Sequence, residues 1–247
     1  MADTPACQVC CGTESRHFIH VGGMDIYECL ECGLVYLHPA PTEEEIRERY
    51  NDAKGATVCY FAKVESKMRR SRRRARHLAH MLGPGSRRRL LDVGCSGGFM
   101  VEAAREQGFE ASGIDLDPVS IAYAREHYPD NHFFRGTIEE FAPGREPFDT
   151  VYCSEVVEHV PDANRFVAEI AGLMRPGAVL YLTTPDISHW RRPKNVLEWN
   201  AFVPPQHCLY FGPKNLALLL RRHGLDVFRR RIAWKPGIKL FARRRPD

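Results

Sequence analysis

From residue 89 onward, short apolar runs alternate with longer amphipathic segments. The runs at 89–94, 111–115, 132–135, 148–153 and 178–184 predict strands. Between them lie helical patterns at 97–107, closed by Gly108, at 118–127 with Pro118 in the first turn, at 163–174 and at 213–223. Strand and helix in turn imply a parallel sheet with βαβ crossovers, an α/β class. Two last runs, 225–234 and 238–242, complete that sheet as an antiparallel pair. Upstream, Pro39-Ala-Pro41 stiffens the chain and Thr42-Glu-Glu-Glu45 offers a capping box, so a helix is expected over 43–50. A longer helix is expected over 63–82. No internal repeat is present.

Composition narrows the class. At 247 residues the chain holds one domain of typical size and a small appendage, and 44% apolar with 10% aromatic content marks a globular protein. The expected division is a module over 1–41, a helical, arginine-rich connector over 42–86 and a main domain over 87–247. No apolar run is long enough to span a membrane and the first residues lack the pattern of a signal peptide, so a cytoplasmic protein without a membrane span is expected. The helix over 63–82 carries Lys63, Lys67, Arg69, Arg70, Arg72, Arg73, Arg74 and Arg76 against Glu65, in a chain of net charge +4. Two readings stay open for it, a solvated face or a surface that neutralises a phosphorylated or polyanionic substrate.

Five of the nine cysteines, Cys7, Cys10, Cys11, Cys29 and Cys32, crowd the start of the chain. Cys7-x2-Cys10 and Cys29-x2-Cys32, joined by a segment long enough to return as a hairpin, have the spacing of a four-thiolate zinc ribbon. Cys11 is a competing ligand, because Gly12 follows it and not Cys10. A segment of about 35 residues has too little core of its own, so a structural metal would supply much of its folding energy. Such a ribbon would wall the active site or mediate dimerisation.

Leu90-Leu-Asp92-Val-Gly94-Cys95-Ser-Gly97-Gly98 is an apolar strand that breaks into a small-residue turn, and the next apolar run ends at Asp115. Glycines let backbone approach a ligand, and an acid at the end of the following strand can accept hydrogen bonds from both ribose hydroxyls. The ligand is therefore read as an adenosine-containing cofactor. The G-x-G-x-x-G register of a dinucleotide fold is absent. The turn resembles instead the D-x-G-x-G motif of class I S-adenosylmethionine (SAM)-dependent methyltransferases, with serine at the third position. The likeness continues through Phe134-Arg-Gly-Thr137-Ile-Glu-Glu-Phe141, Phe148-Asp-Thr-Val-Tyr-Cys-Ser-Glu155-Val-Val-Glu-His159 and Leu173-Met-Arg-Pro-Gly-Ala-Val-Leu-Tyr-Leu-Thr-Thr-Pro185. Cys32-Gly-Leu-Val-Tyr-Leu-His-Pro-Ala-Pro41 resembles a bacterial subgroup that carries an N-terminal zinc ribbon, some of whose members methylate carbon on nucleotide-linked sugars with a further C-terminal domain that is not expected here.

The resemblance implies a Rossmann-like, seven-stranded sheet. It places Asp92, Gly94, Cys95, Gly97, Asp115, Leu116, Thr137, Ile138 and Ser154 around SAM, with Gly94 and Gly97 facing the methionine and ribose parts, Asp115 the ribose diol and Leu116 the adenine. Thr137 stands where the family often has an aspartate. His159 and His207 are the candidate bases for an acceptor hydroxyl, and Ser154 with Glu155 would lie beside the sulfonium. Glu155-x-x-Glu158-His159 also resembles the E-x-x-E-H element of ubiquinone-pathway O-methyltransferases and of small-RNA 2′-O-methyltransferases, in which a divalent cation holds vicinal hydroxyls. His207 could add a ligand; a metal-free reading, in which these residues cap a helix and line the pocket, stays open. Residues 186–211 form a long connection carrying His189, Trp190, Trp199, Phe202, His207, Tyr210 and Phe211, either a substrate lid or packing against the ribbon. The expected activity is SAM-dependent methylation of a small-molecule acceptor, most simply on oxygen; RNA methylation, sugar methylation and non-catalytic SAM binding are the alternatives.

Overall fold

In a computed structural model, residues 6–52, 63–83 and 88–246 are described. The parallel strands are β4 (Arg88–Val93), β5 (Phe109–Asp115), β6 (His132–Arg135) and β7 (Phe148–Ser154). Met174–Thr184 forms β8, and Leu225–Arg230 and Ile238–Arg244 form β10 and β11. Among the described residues these seven make one sheet in the order β10-β11-β8-β7-β4-β5-β6. β4 pairs in parallel with β5 and with β7, β5 in parallel with β6, and β10 with β11 antiparallel, as the sequence pattern predicts. Leu90, Leu91 and Val93 are buried because β4 is central, so both faces of the strand meet core.

The first strands, β1 (Ser15–Val21), β2 (Met24–Cys29) and β3 (Val35–His38), form a second sheet. Its fourth strand comes from far along the chain: β9 (Leu209–Tyr210) pairs with β3. The stretch 186–211 is thus not structureless. It holds this strand, a single bridge between Asp186 and Phe211, and a short helical turn at Val196–Glu198. Trp199, Phe202, Tyr210 and Phe211 are buried while Trp190 is exposed, so apolar packing has claimed most of its aromatics.

The helices are α1 (Glu43–Asp52), α2 (Val64–Leu82), α3 (Phe99–Arg105), α4 (Pro118–His127), α5 (Ile138–Phe141), α6 (Ala163–Gly172) and α7 (Pro213–Arg222). Their starts follow local chemistry. The Asp117 carboxylate accepts from Val119 and Ser120 N–H at 3.1 and 3.2 Å and so caps α4, with Pro118 in its first turn. The Thr137 hydroxyl and Glu140 carboxylate form a capping box on α5.

Contacts divide the chain into two units. One comprises the described residues up to Glu43, Ser154–Ala171 and those from Leu180 on; the other comprises Glu44–Cys153 and Gly172–Val179. In the second unit α2 buries Met68, Ser71, Ala75 and Leu78 on one side. From its other residues Arg72 pairs with Glu106 at 2.6 Å, while Arg69, Arg70, Arg73 and Arg76 are exposed. Among the described residues no helix is long and apolar enough to cross a membrane.

Candidate functional site

The glycine-rich turn, in the second unit, is held by backbone. Gly94 takes φ +74°, and its N–H and that of Cys95 both donate to the Ile114 carbonyl, at 2.9 and 3.0 Å. The turn is thereby pinned to β5. Ser96, at the position where glycine is the motif residue, takes φ +45°, a left-handed conformation that costs a non-glycine residue roughly 1–2 kcal/mol. Its N–H donates to Asp115 Oδ2 at 2.7 Å, and Asp117 N–H donates to Asp115 Oδ1 at 2.9 Å. Asp115 is half-buried; burial raises its pKa and these N–H groups oppose the rise. Each of its oxygens retains acceptor capacity. Asp92 lies behind the turn, fully buried, with Oδ1 lacking a hydrogen-bond partner among the described residues. Burial, then the Asp115 charge, push its carboxyl well above the usual range, while Arg74 acts in the opposite direction.

Close packing supports this turn. A Cβ on Gly113 would stand 2.7 Å from Cys95 Cβ and 2.8 Å from Val101, so only glycine lets β5 lie against the turn. The sequence reading missed Gly113, although a glycine two residues before the strand-end acid was its signal. Gly97 and Ile138 are buried, Leu116 is half-buried, and Thr137 spends its hydroxyl on the cap of α5. The Cys95 thiol is buried and pushed well up by burial first, then by Asp115 and Asp92, which leaves it inert.

The acid and histidine residues lie in the first unit. One Glu158 oxygen accepts from the Thr184 hydroxyl at 2.9 Å; the other is buried with no partner among the described residues. Burial, then the nearby Glu155 charge, raise the Glu158 carboxyl to about 8. His159 Nδ1 lies 2.9 Å from the Gln206 carbonyl and His207 Nδ1 2.8 Å from the Ala201 carbonyl. A carbonyl only accepts, so both Nδ1 atoms carry the proton and both Nε2 atoms keep a lone pair in the neutral ring. Burial lowers both imidazoles, His207 to about 4, with His159 adding to the effect there. Ligand atoms of Glu158, His159 and His207 all lie within 4.8 Å of one another.

This group differs from the one expected at Glu155, Glu158 and His159. Residues 155–160 form a turn and not a helical turn, and Glu155 takes φ +60°. Its carboxylate instead accepts from the Thr183 hydroxyl at 2.6 Å, and Ser154 Oγ lies 2.8 Å from the same hydroxyl. His207, anticipated as an added ligand, takes the vacated place. Thr183 and Thr184 went unread, because they end β8 while the carboxylates they bond follow β7, a neighbour in the sheet and not in the sequence.

The four cysteines also converge. Cys7 and Cys32 Sγ are 3.6 Å apart, Cys10 and Cys29 Sγ 3.5 Å, and all four lie within 4.8 Å of one another. Metal–sulfur bonds of about 2.3 Å in a tetrahedron separate sulfurs by roughly 3.8 Å, so the donor set fits a structural zinc. Cys11, the competing candidate, is exposed, takes φ +65° and stands outside the group. Hydrogen bonding with Cys32 lowers the Cys7 thiol to about 5, while burial raises the Cys10 thiol to about 11 and the bond to Cys7 raises that of Cys32.

Comparison with known proteins gives the family and the fold. Residues 64–229 match a family described as a methyltransferase domain. A ubiquinone biosynthesis O-methyltransferase of Alkalilimnicola ehrlichii is 37% identical over 56% of this chain and 56% of its own length. One of Hahella chejuensis is 32% identical over 62% of this chain and 69% of its own. The chain thus spans between about half and about two thirds of these two relatives. Magnesium protoporphyrin IX methyltransferase of Synechocystis, solved with bound SAH, superposes with a TM-score of 0.62 at 15% identity, over 82% of this chain and 100% of that one, a likeness of fold. The chain belongs to the methyltransferase-domain family and has the fold of the class I SAM-dependent methyltransferases.

Proposed function

We propose that the chain transfers a methyl group from SAM to an oxygen of a small molecule, and that Glu158, His159 and His207 hold a divalent cation that engages the acceptor. The carrying observations are that ligand atoms of Glu158, His159 and His207 lie within 4.8 Å of one another and that one Glu158 oxygen is buried with no partner among the described residues. An ionised Glu158 and the two neutral imidazoles would offer three acceptors to a cation, and an orphaned buried oxygen costs about 1–3 kcal/mol. A cation satisfies all three at once, and two histidines with one carboxylate leave coordination positions open. The Nδ1 bonds to main-chain carbonyls are the outer contacts that orient ligating histidines.

The residues also suit the cofactor. SAM supplies an activated methyl on a positively charged sulfur. Asp115 has acceptor capacity left for the ribose hydroxyls, and Asp92 Oδ1 is buried with no partner among the described residues. A divalent cation would supply Lewis acidity toward an acceptor hydroxyl. Glu155, one residue past β7, is exposed, and its second oxygen is the base proposed for the hydroxyl proton. Zinc at Cys7, Cys10, Cys29 and Cys32 is proposed as structural, because four thiolates close its coordination. Cysteines kept for a metal also support a cytoplasmic setting. The ubiquinone-pathway relatives favour oxygen as the methylated atom.

A second reading, methylation of RNA, draws on the exposed Arg69, Arg70, Arg73 and Arg76 of α2. The deciding experiment is transfer of labelled methyl from SAM into fractionated cell extract with and without Mg2+ or Mn2+. Cation-dependent label among small molecules is expected; label in RNase-sensitive material would replace this reading with the second, and no transfer at all would favour a SAM-binding role without catalysis.

A further inference from the structure

The cysteine group and the Glu158, His159 and His207 triad share one hydrogen-bonded frame in the first unit. β9 begins two residues after His207 and pairs Leu209 with Tyr36 and Tyr210 with Val35. Leu37 N–H donates to the Cys208 carbonyl at 2.9 Å. The same short stretch grips the other half of the triad: Cys208 and Leu209 N–H both donate to the Glu158 carbonyl, at 2.9 and 3.2 Å, and the Cys208 thiol donates to the Val160 carbonyl at 3.1 Å. His207 is therefore suspended between the cysteine sheet and the backbone of Glu158.

A second arm runs from the first cysteine knuckle. Gln8 sits between Cys7 and Cys10. Its amide accepts from Ala163 N–H at 2.6 Å and donates to the Pro161 carbonyl at 3.3 Å, just beyond His159. Asn215 donates to the Cys32 carbonyl at 3.2 Å, and Arg222 to the Val9 carbonyl at 2.6 Å, so the knuckles are clasped by α7 as well. The direction of the Gln8 side chain and the edge of β3 both depend on a fold that thiolates alone, without a metal, hold weakly.

We infer that the tetrathiolate site is the positioning device for the triad, acting through Gln8 and β9, so that metal at the cysteines sets the triad's affinity for a divalent cation. Glu158 and His159 are neighbours in sequence and stay together in any case. His207 belongs to a later segment, beyond β8, and its registration rests on the short pairing of Leu209 and Tyr210 with β3. Loosening β3 moves one ligand of three. The inference rests on the proposed cation site, while the linkage itself is a matter of backbone hydrogen bonds and can be tested apart from it.

The test uses the full chain loaded with zinc, with Mn2+ as probe, since a hard cation disfavours four thiolates. Three quantities are read: the Mn2+ Kd, the SAM Kd, and amide hydrogen exchange at Cys208 and Leu209. Gln8→Ala keeps every cysteine and is expected to retain zinc and SAM affinity while weakening Mn2+ about 10-fold, the scale on which outer contacts act on a metal site. Gln8→Glu, which keeps the acceptor for Ala163 N–H, is expected to recover part of that loss. Removal of zinc by chelation, or Cys29→Ser, is expected to weaken Mn2+ further and to release the Cys208 and Leu209 amides to exchange. Zinc-bound protein that fails to take up Mn2+ would overturn the cation reading, and loss of amide protection on zinc removal would still uphold the linkage. Unchanged Mn2+ affinity and unchanged exchange in zinc-free protein that binds SAM normally would overturn the inference itself.

Discussion

Asp115 and Glu158 are two acids of one chain that reach their native surroundings by opposite routes. Asp115 ends β5, and both of its oxygens accept backbone N–H groups from nearby turns, those of Ser96 and Asp117. Glu158, in the turn that follows β7, is bonded on one oxygen by the Thr184 hydroxyl and on the other has no partner among the described residues. The first acid is completed by backbone as its own βαβ unit forms. The second is completed only when a histidine from a distant segment arrives, and on the present reading only when a cation does. A site of the first kind should fail by losing its ligand with the fold intact; a site of the second kind should be sensitive to changes far from it.

The largest expected effect follows from that contrast. Cys29→Ser removes one ligand from a site whose metal, in small zinc modules, is worth about 10–16 kcal/mol of apparent binding energy. Zinc should be lost and the described strands β1 to β3 should lose protection in hydrogen exchange, while α4 and β5 keep theirs. Full zinc content in the variant would remove Cys29 from the ligand set. Next in size is Asp115→Ala, which deletes an acceptor for ribose hydroxyls. Two hydrogen bonds to a charged group at about 1.5 kcal/mol each make roughly 3 kcal/mol, near a 100-fold rise in the SAM Kd by calorimetry. An unaltered Kd would mean that the nucleotide lies elsewhere.

These two routes also explain what could be read from sequence. The glycine turn, Asp92 and Asp115 were legible because a strand, a turn and a strand-end acid are local patterns, and local backbone bonds build that site. The cysteine spacing was legible for the same reason, down to the positive φ of Gly33 after Cys32. The triad was only half legible. Helical spacing wrongly grouped Glu155 with Glu158, because nothing in the run 155–159 announces that Glu155 takes φ +60° and bonds Thr183. The pairing of β9 with β3 joins Leu209 and Tyr210 to Tyr36 and Val35, near opposite ends of the chain, and no periodicity can mark so short a strand. The arginine helix was placed well, yet Arg74 donates to the Tyr152 hydroxyl and acts on Asp92, a role that charge counting does not separate from that of its exposed neighbours.

Glu158→Gln sharpens the comparison at intermediate cost. The amide keeps an acceptor for the Thr184 hydroxyl and removes the negative charge. Mn2+ affinity should fall about 10- to 100-fold, the scale of a disturbed metal site, while the Tm of cation-free protein shifts little. A Tm drop as large as that of a core deletion, with Mn2+ affinity preserved, would make Glu158 a structural acid.

The smallest effect tests whether the nucleotide turn owes its shape to backbone alone. Ser96 holds φ +45°, and its Oγ lies 3.4 Å from Ser120 Oγ. Ser96→Gly relieves a left-handed strain of roughly 1–2 kcal/mol. It also loosens the unfolded chain, which returns roughly 0.4–1 kcal/mol of that gain. The net change in stability should therefore lie between zero and roughly 1.6 kcal/mol in favour of the variant. SAM affinity should be unaltered, since the bond to Asp115 comes from the main-chain N–H of residue 96, which glycine supplies equally. A marked loss of SAM affinity in Ser96→Gly would show that the hydroxyl, and not the backbone, holds the turn, and Asp115 would then resemble Glu158 in needing a side-chain partner to be complete.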